Sequence, residues 1–194
     1  EDVVGGIPPI HWCIRAGNIH LLPTLWTRTT SGAIADDGTT LLMAACEFGA
    51  GKDYLKILSE ATTRDQQPYL DIQLALQERD FEGRTCLFHA ARAGDEKGVT
   101  ALVKRRADPL VVDNHGRTAL FAACEGWSLA TLEFLKGCGI DPKARDASNK
   151  GLREWVREIP PAQDMEVKKA VIDWVDFRGG PPPPRKPPVL ARSA

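Results

Sequence analysis

One sentence of residues is written twice in this chain. Asp80-Phe81-Glu82-Gly83-Arg84-Thr85-Cys86-Leu87-Phe88-His89-Ala90-Ala91 is echoed by Asp113-Asn114-His115-Gly116-Arg117-Thr118-Ala119-Leu120-Phe121-Ala122-Ala123-Cys124, with glycine, threonine and leucine each 33 residues apart. The same offset relates Ala107-Asp108-Pro109 to Ile140-Asp141-Pro142, so a whole unit is duplicated. A period of this size marks a stacked repeat architecture. Each unit then buries its apolar face against its neighbours only, and the exposed faces line up as one surface suited to gripping another macromolecule.

Weaker copies extend the array. Asp37-Gly38-Thr39-Thr40-Leu41-Leu42-Met43-Ala44-Ala45 precedes the first sentence by 45 residues, one period plus an insertion of 12. Gly6-Ile7-Pro8-Pro9-Ile10-His11-Trp12-Cys13 lies 32 residues earlier again. Four units are expected at about 4–36, 37–79, 80–112 and 113–147, making residues 1–149 the repeat region.

The unit reads as two short helices. A threonine followed by a small residue or proline opens a helix, its hydroxyl accepting an otherwise orphan N–H of the first turn. Leu87, Ala90 and Ala91 share one face, and the alanines allow close helix approach. Gly94 ends that helix, since glycine tolerates a left-handed turn. Val99, Leu102 and Val103 supply the stripe of the next helix, repeated as Leu132, Phe134 and Leu135.

These residues resemble the ankyrin repeat family, whose unit is a turn and two antiparallel helices with a Thr-Pro-Leu-His type opening. Pro8-Pro9-Ile10-His11 is close to that opening, while Thr85-Cys86-Leu87-Phe88 and Thr118-Ala119-Leu120-Phe121 keep threonine and leucine. The family's helix-separating glycine matches Gly17, Gly49 and Gly94, with Trp127 standing there in the fourth unit. The resemblance implies an all-α solenoid of stacked helix pairs joined by turns or short hairpins. It also implies a binding module or structural subunit without catalytic activity. Partners of the family usually meet the turn tips and the exposed side of each first helix. Those positions carry over as Arg15, Glu47, Phe48, Phe81, Glu82, Arg84, Arg92, Asn114, His115, Arg117 and Glu125. Arg15, Arg84, Arg92 and Arg117 make a basic row among them, although the mixed signs favour specific pairing with a protein over a polyanion. The second readings are a regulatory fragment of an enzyme and, behind it, a nucleic-acid binder.

Other chemistry does not assemble. A formal net charge of −1 gives no global attraction to nucleic acid or an anionic membrane, and no apolar run approaches the roughly 20 residues of a membrane span. The five cysteines, Cys13, Cys46, Cys86, Cys124 and Cys138, lack paired spacing; they read as reduced, buried small hydrophobes, which favours a reducing compartment, cytoplasmic or nuclear. The chain opens on Glu1 without methionine, which suits a processed form and leaves room for an organellar targeting segment. Gly49-Ala50-Gly51-Lys52 imitates the end of a phosphate loop, but its first glycine would fall at Cys46 and Asp53 follows the lysine. His11 matches the family's structural histidine, and His20, His89 and His115 have no metal-like spacing. The acidic residues Asp36, Asp37, Asp80 and Glu82 fall in the turns before a unit, where aspartate is favoured. No catalytic residue, cofactor or metal is expected.

Two stretches individualise the chain. A polar insertion near residues 59–73 leads into Leu70, Ile72, Leu74 and Leu76, whose alternation predicts a strand. Beyond the fourth unit the register fades, and residues 150–177 are expected to be a helical cap or partial repeat. Its stripe is Met165, Ala170, Val171, Trp174 and Val175, with Trp155 and Trp174 as packing residues. Residues 178–194 are a proline-rich tail, in which Pro181, Pro184 and Lys186 resemble a ligand of Src-homology-3 or other proline-reading domains. Because this tail lacks the apolar surface to offset its ordering entropy, deleting residues 179–194 should leave the thermal midpoint nearly unchanged while removing at least one partner. A large fall in melting temperature would show that it packs along the repeats.

Overall fold

The computed structural model describes residues 8–22, 34–60, 72–159 and 164–177, and all structural statements concern these. Five short helices recur: α1 (Pro9–Arg15), α2 (Leu41–Glu47), α5 (Cys86–Arg92), α7 (Ala119–Glu125) and α9 (Leu152–Glu158). Each has seven residues. Four longer helices pair with them: α3 (Gly51–Glu60), α6 (Glu96–Lys104), α8 (Leu129–Gly137) and α10 (Met165–Asp176). A 3-10 turn at Ile19–Leu21 follows α1, and α4 (Ile72–Gln77) stands between α3 and α5. The helices α1, α2, α5, α7 and α9 pack in succession as one layer, and α3, α6, α8 and α10 as a second. The structure is the all-α solenoid expected.

Burial explains the sequence of the first layer. Each of its central helices is covered by both neighbours and by the second layer, so Leu41 to Cys46, Cys86 to Ala91 and Ala119 to Cys124 are all buried. Alanine pairs at 44–45, 90–91 and 122–123 let the axes approach. The limit is reached at Gly126, where a Cβ would lie 2.9 Å from the Ala91 carbonyl oxygen. The second layer is amphipathic, with Val99 and Leu102 of α6 and Leu132 and Leu135 of α8 buried, while Val103 and Phe134 pack half-buried at the margin.

Helix starts differ between the layers. Three second-layer helices are capped by side chains, Asp95 accepting from Gly98 N at 2.9 Å, Ser128 from Thr131 N at 3.3 Å and Asp164 from Glu166 N at 2.8 Å. In the first layer Thr40 accepts from Met43 N at 3.4 Å, but Thr85 and Thr118 make no such cap bond, contrary to the expected role of threonine. Both have extended backbone, and Thr118 forms an isolated bridge to Val112, as Thr40 does to Ile34. A β-branched residue suits that extended segment. Only such isolated bridges occur among the described residues, in place of hairpins.

Two further expectations are corrected. Ile72, Leu74 and Leu76 lie in a helix, not a strand: Ala75 and Leu76 are buried side by side, Leu74 is exposed, and Gln73 donates to the Arg105 carbonyl at 3.2 Å. Apolar alternation over so few residues cannot separate strand from helix; Leu70 and most of the insertion lie outside the described residues. In α10, Val171, Trp174 and Val175 are buried as expected, but Met165, the first residue of the helix, is exposed. The turn unit itself continues beyond residue 147: Arg145 bridges Gly151, 33 residues after Val112 and Thr118.

Where other units place glycine after the first helix, Trp127 adopts φ 50 and packs half-buried against the core. The turn tips are stricter. Gly38, Gly83 and Gly116 have φ 83, 79 and 73, and each lies against the next turn. At Gly83 a Cβ would stand 2.9 Å from the Asn114 backbone nitrogen. Gly83→Ala should therefore lower the unfolding free energy by about 2 kcal/mol, through left-handed strain and steric displacement of the following turn. An unchanged urea midpoint would refute this.

Candidate protein-binding face

The turns repeat an aspartate that organises its own loop. Asp80 Oδ1 accepts from the backbone of Glu82 at 3.0 Å and Arg84 at 2.9 Å. Asp113 does the same for His115 and Arg117, both at 2.9 Å, and Asp146 for Ser148 and Lys150, both at 2.8 Å. The other oxygen of Asp80 takes the Arg84 guanidinium at 2.8 Å and His89 Nε2 at 3.1 Å; that of Asp113 takes Arg117 at 2.7 Å. Burial alone would raise the Asp80 carboxyl, but hydrogen bonds from His89 and from the backbone and side chain of Arg84 outweigh it and hold it well below the usual range.

Successive turns are joined by main chain. Phe81 N donates to Asp37 O at 3.0 Å, Asn114 N to Glu82 O at 2.9 Å and Ala147 N to His115 O at 2.8 Å. Asn114 adds a side-chain bond to Phe81 O at 2.9 Å. The tips thus form one row, on which Phe81, Glu82, Asn114 and His115 are exposed, Phe81 at 73%.

The sequence treats the exposed side of each first helix as part of this face. Little of it exists. In α2, α5 and α7 only the last-turn positions emerge: half-buried Glu47, Arg92 and Glu125, with exposed Phe48 following α2. The supposed basic row is also largely neutralised. Arg84 pairs with Asp80 and, at 3.0 Å, with Glu82; Arg117 pairs with Asp113 and reaches Glu82 at 3.8 Å; Arg92 pairs with Glu47 at 2.7 Å. Arg15 differs, lying over the rings of Trp12 and Phe48 at 5.2 and 5.4 Å. Charge matching therefore fixes the face, and one cation is presented on an aromatic platform.

Two contributors are absent from the sequence-derived set. Trp155 lies under Arg117, 5.1 Å from its guanidinium carbon, and meets Phe121 edge to face at 5.9 Å; the signal was its position in the fifth seven-residue helix. His89 joins Asp80 and approaches Glu47 at 3.9 Å, a link between units. Glu125 closes the cleft between α5 and α7, its carboxyl raised by burial against the lowering pull of Arg117, Arg92 and Arg84. That cleft holds about 60 Å³, against roughly 300–1,000 Å³ for a small-molecule site. A cleft this small beside exposed rings suits a macromolecular surface better than a metabolite.

The remaining candidates stay structural. Gly51 opens α3, a Cβ there falling 2.8 Å from Cys46 Sγ, so Gly49 to Lys52 form a packed helix junction. His11 is buried. Cys46, Cys86 and Cys124 are buried thiols: hydrogen bonding with Cys86 and burial push Cys46 up, and burial pushes Cys124 up to about 12. Cys13 and Cys138 are only half-buried, a correction to the expectation of five buried thiols. Among the described residues, no group of three or more His, Cys, Asp or Glu is placed to hold a metal ion, and no helix is long and apolar enough to cross a membrane. Pro181, Pro184 and Lys186 lie outside the described residues.

Residues 69–146 match the family model of ankyrin repeats, in three copies. Residues 69–146 are therefore ankyrin repeats, and the helices on either side of them continue the same two-layered solenoid.

Asp80 sets the acid response. Its folded pKa is depressed, so its stabilisation is complete above the unfolded aspartate value of about 3.9 and is lost as pH falls through the lower folded value. Asp80→Asn should lower stability at neutral pH and flatten the dependence below about pH 4. An acid limb as steep as that of the parent in paired denaturation curves would count against this assignment.

Proposed function

We propose that this ankyrin-repeat chain is a non-catalytic protein-binding module or scaffold subunit that engages its partner through the row of turn tips and first-helix ends. Arg15, Glu47, Phe48, Phe81, Glu82, Arg84, Arg92, Asn114, His115, Arg117 and Glu125 form the proposed contact set. The observation that carries this reading is Phe81, 73% exposed at the tip of a turn whose backbone is bonded to both adjacent turns. A large ring held out on a rigid support is an anchor that loses little conformational freedom on binding.

The contact set divides by role. Phe81, His115, Phe48 and Arg15 are exposed and supply recognition. Arg84, Arg92 and Arg117 act mainly by holding acidic partners in register, since each already has a carboxylate within 3.0 Å. A partner complementary to the first group needs an apolar pocket with polar groups at its rim. The tail beyond residue 178 is proposed as a second, proline-type ligand, and the reduced thiols suit a cytoplasmic or nuclear setting.

Affinity purification from the native source with the parent chain and with Phe81→Ala tests the assignment. The variant should keep its melting temperature and lose the principal partner by roughly tenfold or more. Retention of every partner at parental yield, or turnover of a substrate by the purified chain, would overturn it.

A further inference from the structure

The second layer carries the opposite electrostatic arrangement from the turn row. Lys52 and Lys56 on α3 face Lys97, Lys104 and Arg105 at α6 across a groove of about 570 Å³, with Glu96 the one acidic residue lining it. The four lysines are exposed, and among the described residues none of the five cations forms an ion pair. On the turn row, by contrast, Arg84, Arg92 and Arg117 are all matched to carboxylates. A chain of net charge −1 has thus gathered unmatched positive charge in one place.

Helix geometry makes the patch compact. Lys52 and Lys56 are four residues apart, hence on one face, and Lys97 to Lys104 spans about 10 Å of helix rise. Packed neighbouring helices sit roughly 8–10 Å apart, so the cations bracket an area about as long as a few extended residues. Like charges gathered at that spacing repel one another within a Debye length, and an anion seated between them relieves the repulsion.

We propose that the groove between α3 and α6 is a second docking surface, which takes a short peptide segment rich in aspartate and glutamate from a protein partner. Charge complementarity commits the groove to an anion, and its extent selects among anions. Specific nucleic-acid surfaces bury roughly 600 Å² or more per module, larger than this patch. Membrane docking needs apolar anchors, yet no large apolar side chain described on α3 or α6 is exposed. Lysine is a mobile point charge lacking the bidentate fork of arginine, and four of the five cations are lysines, which suits a row of carboxylates better than one fixed phosphate.

The test uses the full chain and a fluorescein-labelled peptide of alternating aspartate and glutamate, followed by anisotropy. Its asparagine and glutamine counterpart, phosphatidylserine vesicles and a single-stranded oligonucleotide serve as comparisons. The acidic peptide should bind, and weaken steeply between roughly 50 and 300 mM salt. Lys56→Glu with Lys97→Glu should weaken it by about tenfold or more without moving the melting temperature, while Phe81→Ala should leave it unchanged. No peptide binding, equal binding by the double variant, or tighter binding to vesicles or the oligonucleotide would overturn the proposal.

Discussion

The register of the whole stack depends on the backbone bond between successive turns. Phe81 N to Asp37 O, Asn114 N to Glu82 O and Ala147 N to His115 O are the same contact made three times. Each can form only because a glycine tip leaves room for the following turn and an aspartate holds the loop in shape. A repeat protein has no central core, so a displaced turn would shift the helices behind it relative to their neighbours. The buried alanine faces tolerate little of that. Interiors are close-packed, and Gly126 already touches the end of α5.

Electrostatics divides the molecule's two layers. Along the turn row the charges are consumed internally, through Arg84 with Asp80 and Glu82, Arg117 with Asp113, and Arg92 with Glu47. The Asp80 and Asp113 carboxylates are buried and also hold their own loops through backbone hydrogen bonds, so these pairs order the surface instead of attracting distant ions. What remains for recognition there is shape and aromatic area, with Phe81 and the stacked Trp12, Arg15 and Phe48. In the second layer, the lysines of the groove between α3 and α6 have no carboxylate partner among the described residues. One framework therefore presents a preorganised face on one layer and a salt-sensitive one on the other.

Much of this architecture was legible because a 33-residue period is hard to produce by chance and each landmark has one physical job. Gly83 and Gly116 marked turn tips, and Ala90 and Ala91 marked close packing. The readings that failed relied on local pattern without tertiary context. Ile72, Leu74 and Leu76 alternate, yet fold as a helix whose buried pair is Ala75 and Leu76. Thr85 and Thr118 look like helix caps, but serve in extended segments. The arginines of the candidate face were visible as positive residues, whereas their neutralisation was not: Arg92 finds Glu47 from 45 residues away, across units whose spacing an insertion had altered. Trp155 was read as packing, and its stacking on Arg117 needed the fifth helix in place.

The central claim is that the turns form one locked row, and amide hydrogen exchange at its three linking groups tests it most directly. Phe81, Asn114 and Ala147 are exposed at the surface, so their amides would exchange quickly if the turns moved independently. The account predicts protection approaching that of the buried first-layer helices, because opening one link requires separating adjacent units. Exchange at the rate of an unstructured peptide at these three positions, with the helices still protected, would contradict it.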